Sequence, residues 1–93
     1  MLFFVYRIDK PGAAELRAAT RPAHLDYAAT LGDKLVYAGP TLDDSGAMIA
    51  SVWIVDAKDR AEAGAITAAD PYEKVGLFAS KTIQRFMQVV PTP

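Results

Sequence analysis

The chain has no cysteine and only one histidine, His24. Without thiols there can be neither a disulfide framework nor a thiolate metal site. A metal would need His24 and several carboxylates together, and no cluster with ligand spacing is present, so no metal and no cofactor is expected. An excess of charge of one sign is lacking too. Ten Lys and Arg face eleven Asp and Glu, for a formal net charge of −1. Arg17, Arg21, Lys34, Lys58, Arg60, Lys74, Lys81 and Arg85 are scattered and offset by acids. A nucleic-acid-binding domain shows a basic stripe, so no nucleic-acid partner is expected. No apolar run approaches the length of a membrane span. The stretch Leu2 to Tyr6 is too short for a signal-peptide core and has no basic leader. No membrane partner is expected, and the cytoplasm is the expected compartment. Gly12, Gly32, Gly39, Gly46, Gly64 and Gly76 fall into no phosphate-binding pattern. There is no internal repeat, low-complexity tract or linker.

Apolar residues are abundant. They make up 52% of 93 residues, against 23% charged. The length suits one domain, residues 1–93. Alone, a chain this small buries only about 60–65% of its unfolded surface. Its apolar supply exceeds what so thin a core needs, which points to a second copy.

Leu2 to Ile8 is aromatic and β-branched and reads as a strand. Asp9-Lys10-Pro11-Gly12 reads as a turn. Ala13 to Ala19 holds strong helix formers. Pro22 is expected to end or kink that helix, with a second segment running to about Leu31 and Gly32 stopping it. Leu35 to Ala38 reads as a strand closed by Gly39-Pro40. Asp43 to Gly46 is a loop. Ala47 to Val55 is the clearest strand. Asp59 and Glu62 have capping-box spacing before a helix over Ala61 to Ala69. Pro71 pushes Asp70 out of helical geometry. Glu73 to Ala79 reads as an irregular or short helical connection, and Thr82 to Val90 as the last strand.

The order β-α-β-β-α-β is the ferredoxin-like plan, an α+β fold with an antiparallel sheet. Right-handed crossovers put both helices on one sheet face. Yet both faces of the third strand are apolar. Ile49, Ser51, Trp53 and Val55 lie on one, and Met48, Ala50, Val52 and Ile54 on the other. A half-solvated sheet should alternate, so the uncovered face is expected to pack on a partner copy as a homodimer. The glycine-aromatic strand motif of RNA-binding domains with this plan is missing.

His24 draws attention because imidazole alone titrates near neutrality unperturbed. A carboxylate beside it would fix its tautomer, and Asp70 in Ala69-Asp70-Pro71-Tyr72 is the natural partner. The plainer readings are a core-edge histidine bonded to a carbonyl, and an Asx-Pro turn. Only the fold can bring the two together. Arg21 could hold an anion beside His24, or be an ordinary exposed arginine. Gly39-Pro40 could let a ligand near the backbone, or simply end a strand. Ser51 could donate into a pocket, or bond a nearby carbonyl. Trp53, on the face of Ser51, reads first as core.

The joint pattern of Arg21-Pro22-Ala23-His24-Leu25, Ala38-Gly39-Pro40, Ser51 and Ala69-Asp70-Pro71-Tyr72 followed by Gly76 resembles the YciI-like (YCII-related) domain family. The resemblance spans nearly the whole chain. It implies the ferredoxin-like fold paired as a dimeric α/β barrel, and a histidine–aspartate site falling on His24 and Asp70. It also implies a pocket between helices and sheet, consistent with Ser51 and Trp53 lining it, and Arg21, Gly39, Pro40 and Tyr72 are the further binding candidates. The loop after Pro40 is short here, which bears on the shape of that pocket.

Two functions compete. One is a cofactor-free enzyme of lyase or isomerase type. In it His24 works as general acid or base and Asp70 orients it, on a small, possibly cyclic or aromatic compound. The other is a non-catalytic ligand-binding or accessory module using the same pocket. Loss of turnover without loss of binding on mutating His24 separates them.

Overall fold

The computed structural model describes residues 1–93. It contains β1 (Leu2–Asp9), α1 (Ala14–Thr30), β2 (Leu35–Leu42), β3 (Met48–Asp56), α2 (Arg60–Ala68), α3 (Pro71–Lys74) and β4 (Phe78–Phe86), with a 3-10 turn at Gly32–Lys34. The strands form one antiparallel sheet in the order β2-β3-β1-β4. This is the ferredoxin-like β-α-β-β-α-β fold, with α3 as an added turn before the last strand.

Register decides which side chains meet the helices. Val5 pairs with Trp53 on one side and Ile83 on the other. Directly paired residues share a face, so these three point together. Phe3, Val5, Trp53, Val55, Ala57 and Ala63 make the buried apolar cluster. Tyr27 and Ala28 of α1, Leu31 at its C-terminal cap and Ile66 of α2 pack on it. On the opposite face lie Phe4, Tyr6 and Ile8 of β1 with Val52 and Ile54 of β3, and no helix covers them. Ile8, Tyr37 and Phe86, on that same face, are 42%, 76% and 43% exposed.

Three elements differ from the sequence reading. First, α1 runs unbroken through Pro22. A proline inside a helix removes one hydrogen bond and crowds the preceding turn. Here the helix is tied down on both sides of it, by Arg17 to Asp9 and by His24 to Asp70. Tertiary contacts override the local preference.

Second, β2 does not stop at Gly39-Pro40 but continues to Leu42. It is an edge strand, where a proline's missing N–H can face outward without breaking a ladder. Third, β4 spans Phe78–Phe86 rather than Thr82 to Val90. Its partner β1 begins at Leu2, which pairs with Phe86, so no strand remains to pair with the residues beyond. The start of β4 is set by Gly76, whose φ of 72° lets the chain reverse after α3. The cap on α2 matches its spacing, with the Asp59 carboxylate accepting from the Glu62 amide at 2.8 Å.

Candidate active site

Six of the 15 buried residues are polar or charged: Arg7, Arg17, His24, Ser51, Thr67 and Asp70. Buried polar groups are costly unless paired. In so thin a core, gathering them at one end of the sheet calls for an explanation.

Asp70 is the hub. As N-cap of α3 it has extended geometry, φ −61° and ψ 128°, imposed by the following proline. Its Oδ1 accepts from the Tyr72 amide at 2.9 Å and lies 2.8 Å from His24 Nδ1. Its Oδ2 lies 3.0 Å from Arg7 Nη1, an ion pair whose angles fall short of a hydrogen bond. Burial pushes the carboxyl up. The His24 hydrogen bond, the Tyr72 amide and the Arg7 charge outweigh it, and hold Asp70 below its ordinary value. Asp70 is therefore a carboxylate that only accepts. Since Asp70 only accepts, the 2.8 Å contact requires the proton on His24 Nδ1, whichever state Nε2 is in.

The His24 side chain is 11% exposed, at the edge of the core where the cavity opens. It stacks on Tyr72 with ring centroids 3.8 Å apart and planes at 16°, and lies 5.7 Å from the Trp53 ring. Packing and the Asp70 bond together fix its orientation.

Two arginines brace this centre. Arg7, fully buried on β1, sits between the Trp53 and Phe78 rings at 4.6 and 4.7 Å. Its Nη1 also donates to Glu73 Oε2 at 2.9 Å, and Glu73 reaches Lys81 at 3.0 Å. Arg17 donates through Nε and Nη2 to both oxygens of Asp9, at 2.8 and 3.0 Å, and through Nη2 to Ser51 Oγ at 2.9 Å. Burial works against the Arg17 charge, but Asp9 outweighs it and holds the guanidinium firmly protonated.

Beside these groups opens a cavity of about 150 Å³ between α1 and the β2–β3 half of the sheet. His24, Arg21, Ser51, Trp53 and Tyr72 line it, with Gly39 and Pro40 on the edge-strand side. Asp70 stands behind His24, off the lining. Gly39 pairs with Val52 on the far face, so it offers backbone rather than a side-chain position. A cavity of this size suits a single ring. No three His, Asp or Glu side chains come together as a metal-ligand set. No helix is long and apolar enough to cross a membrane.

Arg7, Asp9, Arg17 and Met48 were not singled out from the sequence. Signals for two of them existed. Arg7 follows Phe3 and Val5 at period two, which places a charge on the buried face. Arg17 lies seven residues before His24, two helical turns along the same face.

The YCII-related domain matches residues 1–87. The chain belongs to that family. Within it, "Protein YciI" of Escherichia coli O6:H1 and of Shigella flexneri are each 33% identical, covering 96% of this chain and 99% of theirs. Among solved structures, this YCII-related chain is similar to 5-chloro-2-hydroxyhydroquinone dehydrochlorinase from Burkholderia phenoliruptrix. That protein was solved in complex with 2,5-dihydroxybenzoquinone. The TM-score is 0.88 at 35% identity, over 96% of each chain. An uncharacterised NIPSNAP-domain protein from Burkholderia xenovorans shares the fold alone, at TM-score 0.54 and 16% identity over 100% of this chain and 99% of that one.

Proposed function

We propose that this protein is an enzyme of general acid–base type acting on a small hydroxylated ring compound, with His24 as the proton-transferring group and Asp70 as its orienting partner. The observation that carries this is the 2.8 Å contact of His24 Nδ1 with Asp70 Oδ1 beside a ring-sized cavity. The free Nε2 takes a proton from carbon next to a carbonyl, and the bonding pair moves to the oxygen as an enolate. The enolate then either expels a leaving group, as a lyase, or recovers the proton at another atom, as an isomerase. Neither course needs an oxidant or a cofactor. The dehydrochlorinase named above acts on a hydroxylated ring, which supports the substrate class.

The test is turnover of chlorinated and unchlorinated hydroxyhydroquinones by the wild type and by His24→Gln. Turnover that vanishes in the variant while ligand binding persists is the expected result. Binding without turnover in the wild type moves the accessory-module reading ahead.

The working unit of this reading is a cytoplasmic homodimer. The support for the homodimer is the apolar face of β1 and β3 that no helix covers, the kind of surface that marks an interface.

A further inference from the structure

Arg7 Nη1 faces three oxygens. It donates to Glu73 Oε2 at 2.9 Å and to the Thr67 carbonyl at 3.4 Å, and Asp70 Oδ2 stands 3.0 Å away. A terminal guanidinium nitrogen carries two N–H groups, and Glu73 and Thr67 use both. Asp70 Oδ2 is left with the arginine's charge but no hydrogen bond, although it is fully buried. Native interiors leave few such oxygens without one. The rest of the arginine offers none. Its Nε and Nη2 have no partner, and the guanidinium lies between the Trp53 and Phe78 rings. Two carboxylates therefore compete for one nitrogen, and Glu73 holds the hydrogen bond. Glu73 is itself held from outside, with Lys81 Nζ of β4 at 3.0 Å from each of its oxygens. Arg7 and Asp70 are fully buried, whereas Glu73 and Lys81 are partly exposed. The series His24, Asp70, Arg7, Glu73, Lys81 thus runs from the cavity wall through the core to the surface.

We propose that Glu73 is a positioning residue for the His24–Asp70 pair: by occupying the Arg7 hydrogen bond it keeps Asp70 a strong acceptor toward His24 Nδ1, and Lys81 moderates that effect. A carboxylate denied one hydrogen bond keeps more of its charge for its remaining partners. Here that partner is His24, on Oδ1. The inference deepens the acid–base reading and rests on it. In that reading a strong acceptor at Nδ1 stabilises the imidazolium that forms when Nε2 takes the substrate's proton. The titratable groups around Asp70 are His24 and Tyr27 of α1, Arg7 of β1, and Tyr72 and Glu73 of α3, with Lys81 behind Glu73. Of the acids among them, only Glu73 shares Arg7 with Asp70. Glu73 does not line the cavity, so its influence on a ligand passes through Arg7 and Asp70.

Glu73→Gln keeps the shape of the side chain and removes its charge. The Arg7 hydrogen bond then turns to Asp70 Oδ2, and Asp70 accepts less strongly from His24. Lys81→Gln does the reverse, because the Glu73 charge is no longer offset. The probe is the NMR resonance of the His24 Nδ1 proton, which moves downfield as its hydrogen bond strengthens. It should lie upfield of the wild-type position in Glu73→Gln and downfield of it in Lys81→Gln. With the hydroxyhydroquinones as substrates, Glu73→Gln should lower kcat roughly 2- to 30-fold at constant KM, the size of couplings carried through packed neighbours. Lys81→Gln should hold or raise kcat. A merely structural carboxylate predicts no such opposition. Shifts in one common direction, in the reverse order, or absent from both variants overturn the proposal. If Glu73→Gln does not fold, Lys81→Gln decides alone: a downfield proton supports the proposal, and an unmoved or upfield one overturns it. The two readings fail separately. Opposite shifts in a protein without turnover sink only the enzyme reading. Turnover lost in His24→Gln, with the Nδ1 proton indifferent to both other substitutions, sinks only this one.

Discussion

Arg7 Nη1 and Asp70 Oδ2 stand 3.0 Å apart with both side chains fully buried. After the His24 hydrogen bond and the Tyr72 amide, Arg7 of the central strand, 63 positions earlier by numbering (70 − 7), also favours the ionised form of the carboxylate beside His24. Removing one partner of a buried pair leaves an uncompensated charge, which costs about 3–5 kcal/mol. Arg7→Met should lose about that much in urea unfolding, while Arg7→Met with Asp70→Asn recovers part of it. Simple addition of the two single losses would show that the pair is not coupled.

His24 gives the second prediction. It is the only histidine, so its ring nitrogens give one unambiguous set of NMR signals. The neutral ring should carry its proton on Nδ1, facing Asp70. His24→Gln should lower kcat roughly 10²- to 10⁴-fold, the usual worth of a positioned acid or base. It should also cost about 1–3 kcal/mol of stability, because Asp70 Oδ1 loses a buried donor. A proton found on Nε2 would contradict the assigned role of Asp70.

The pH dependence of stability follows from Asp70. Burial opposes its ionisation, yet its partners hold the folded value below the ordinary 3.8. A depressed carboxylate adds stability that is fully present above the unfolded value and lost as pH falls through the folded one. Wild-type stability should decline as the pH drops below about 3.8, and Asp70→Asn should lack that part of the decline. Asp43 contributes with the same sign, held down by the Ser45 hydroxyl and nearby amides. Asp43→Ala separates the two contributions. Identical acid limbs in wild type and Asp70→Asn would disprove the linkage.

The uncovered sheet face gives the fourth prediction. Val52→Lys or Ile54→Lys places a charge on it, away from the helices. Sedimentation should show a dimer for the wild type at micromolar concentration and a folded monomer for either variant. A charge buried unpaired in an interface is strongly unfavourable. A wild type that sediments as a monomer ends the dimer proposal.

The element order, the cap at Asp59 and the parity of β1 and β3 were legible in the sequence, because each rests on neighbours a few residues apart. Period two alone separates Phe3 and Val5 from Phe4 and Tyr6. Local signals misled where long-range ties prevailed. Pro22 reads as a break until Arg17 and His24 are anchored on either side of it. Val89 and Val90 read as strand until β1 runs out of partners at Leu2.

His24 and Asp70 could be named as candidates from residue type and motif, but they lie 46 residues apart. Nothing in their own surroundings sets the 2.8 Å contact. The tertiary structure sets it, because α1 and α3 pack side by side only when the crossovers lay both on one sheet face. The same packing closes Arg17 on Asp9 and Ser51 and slides Arg7 under Asp70. Pattern along a chain carries which face a side chain takes. Which buried charges meet is decided by distances that exist only once the sheet has formed.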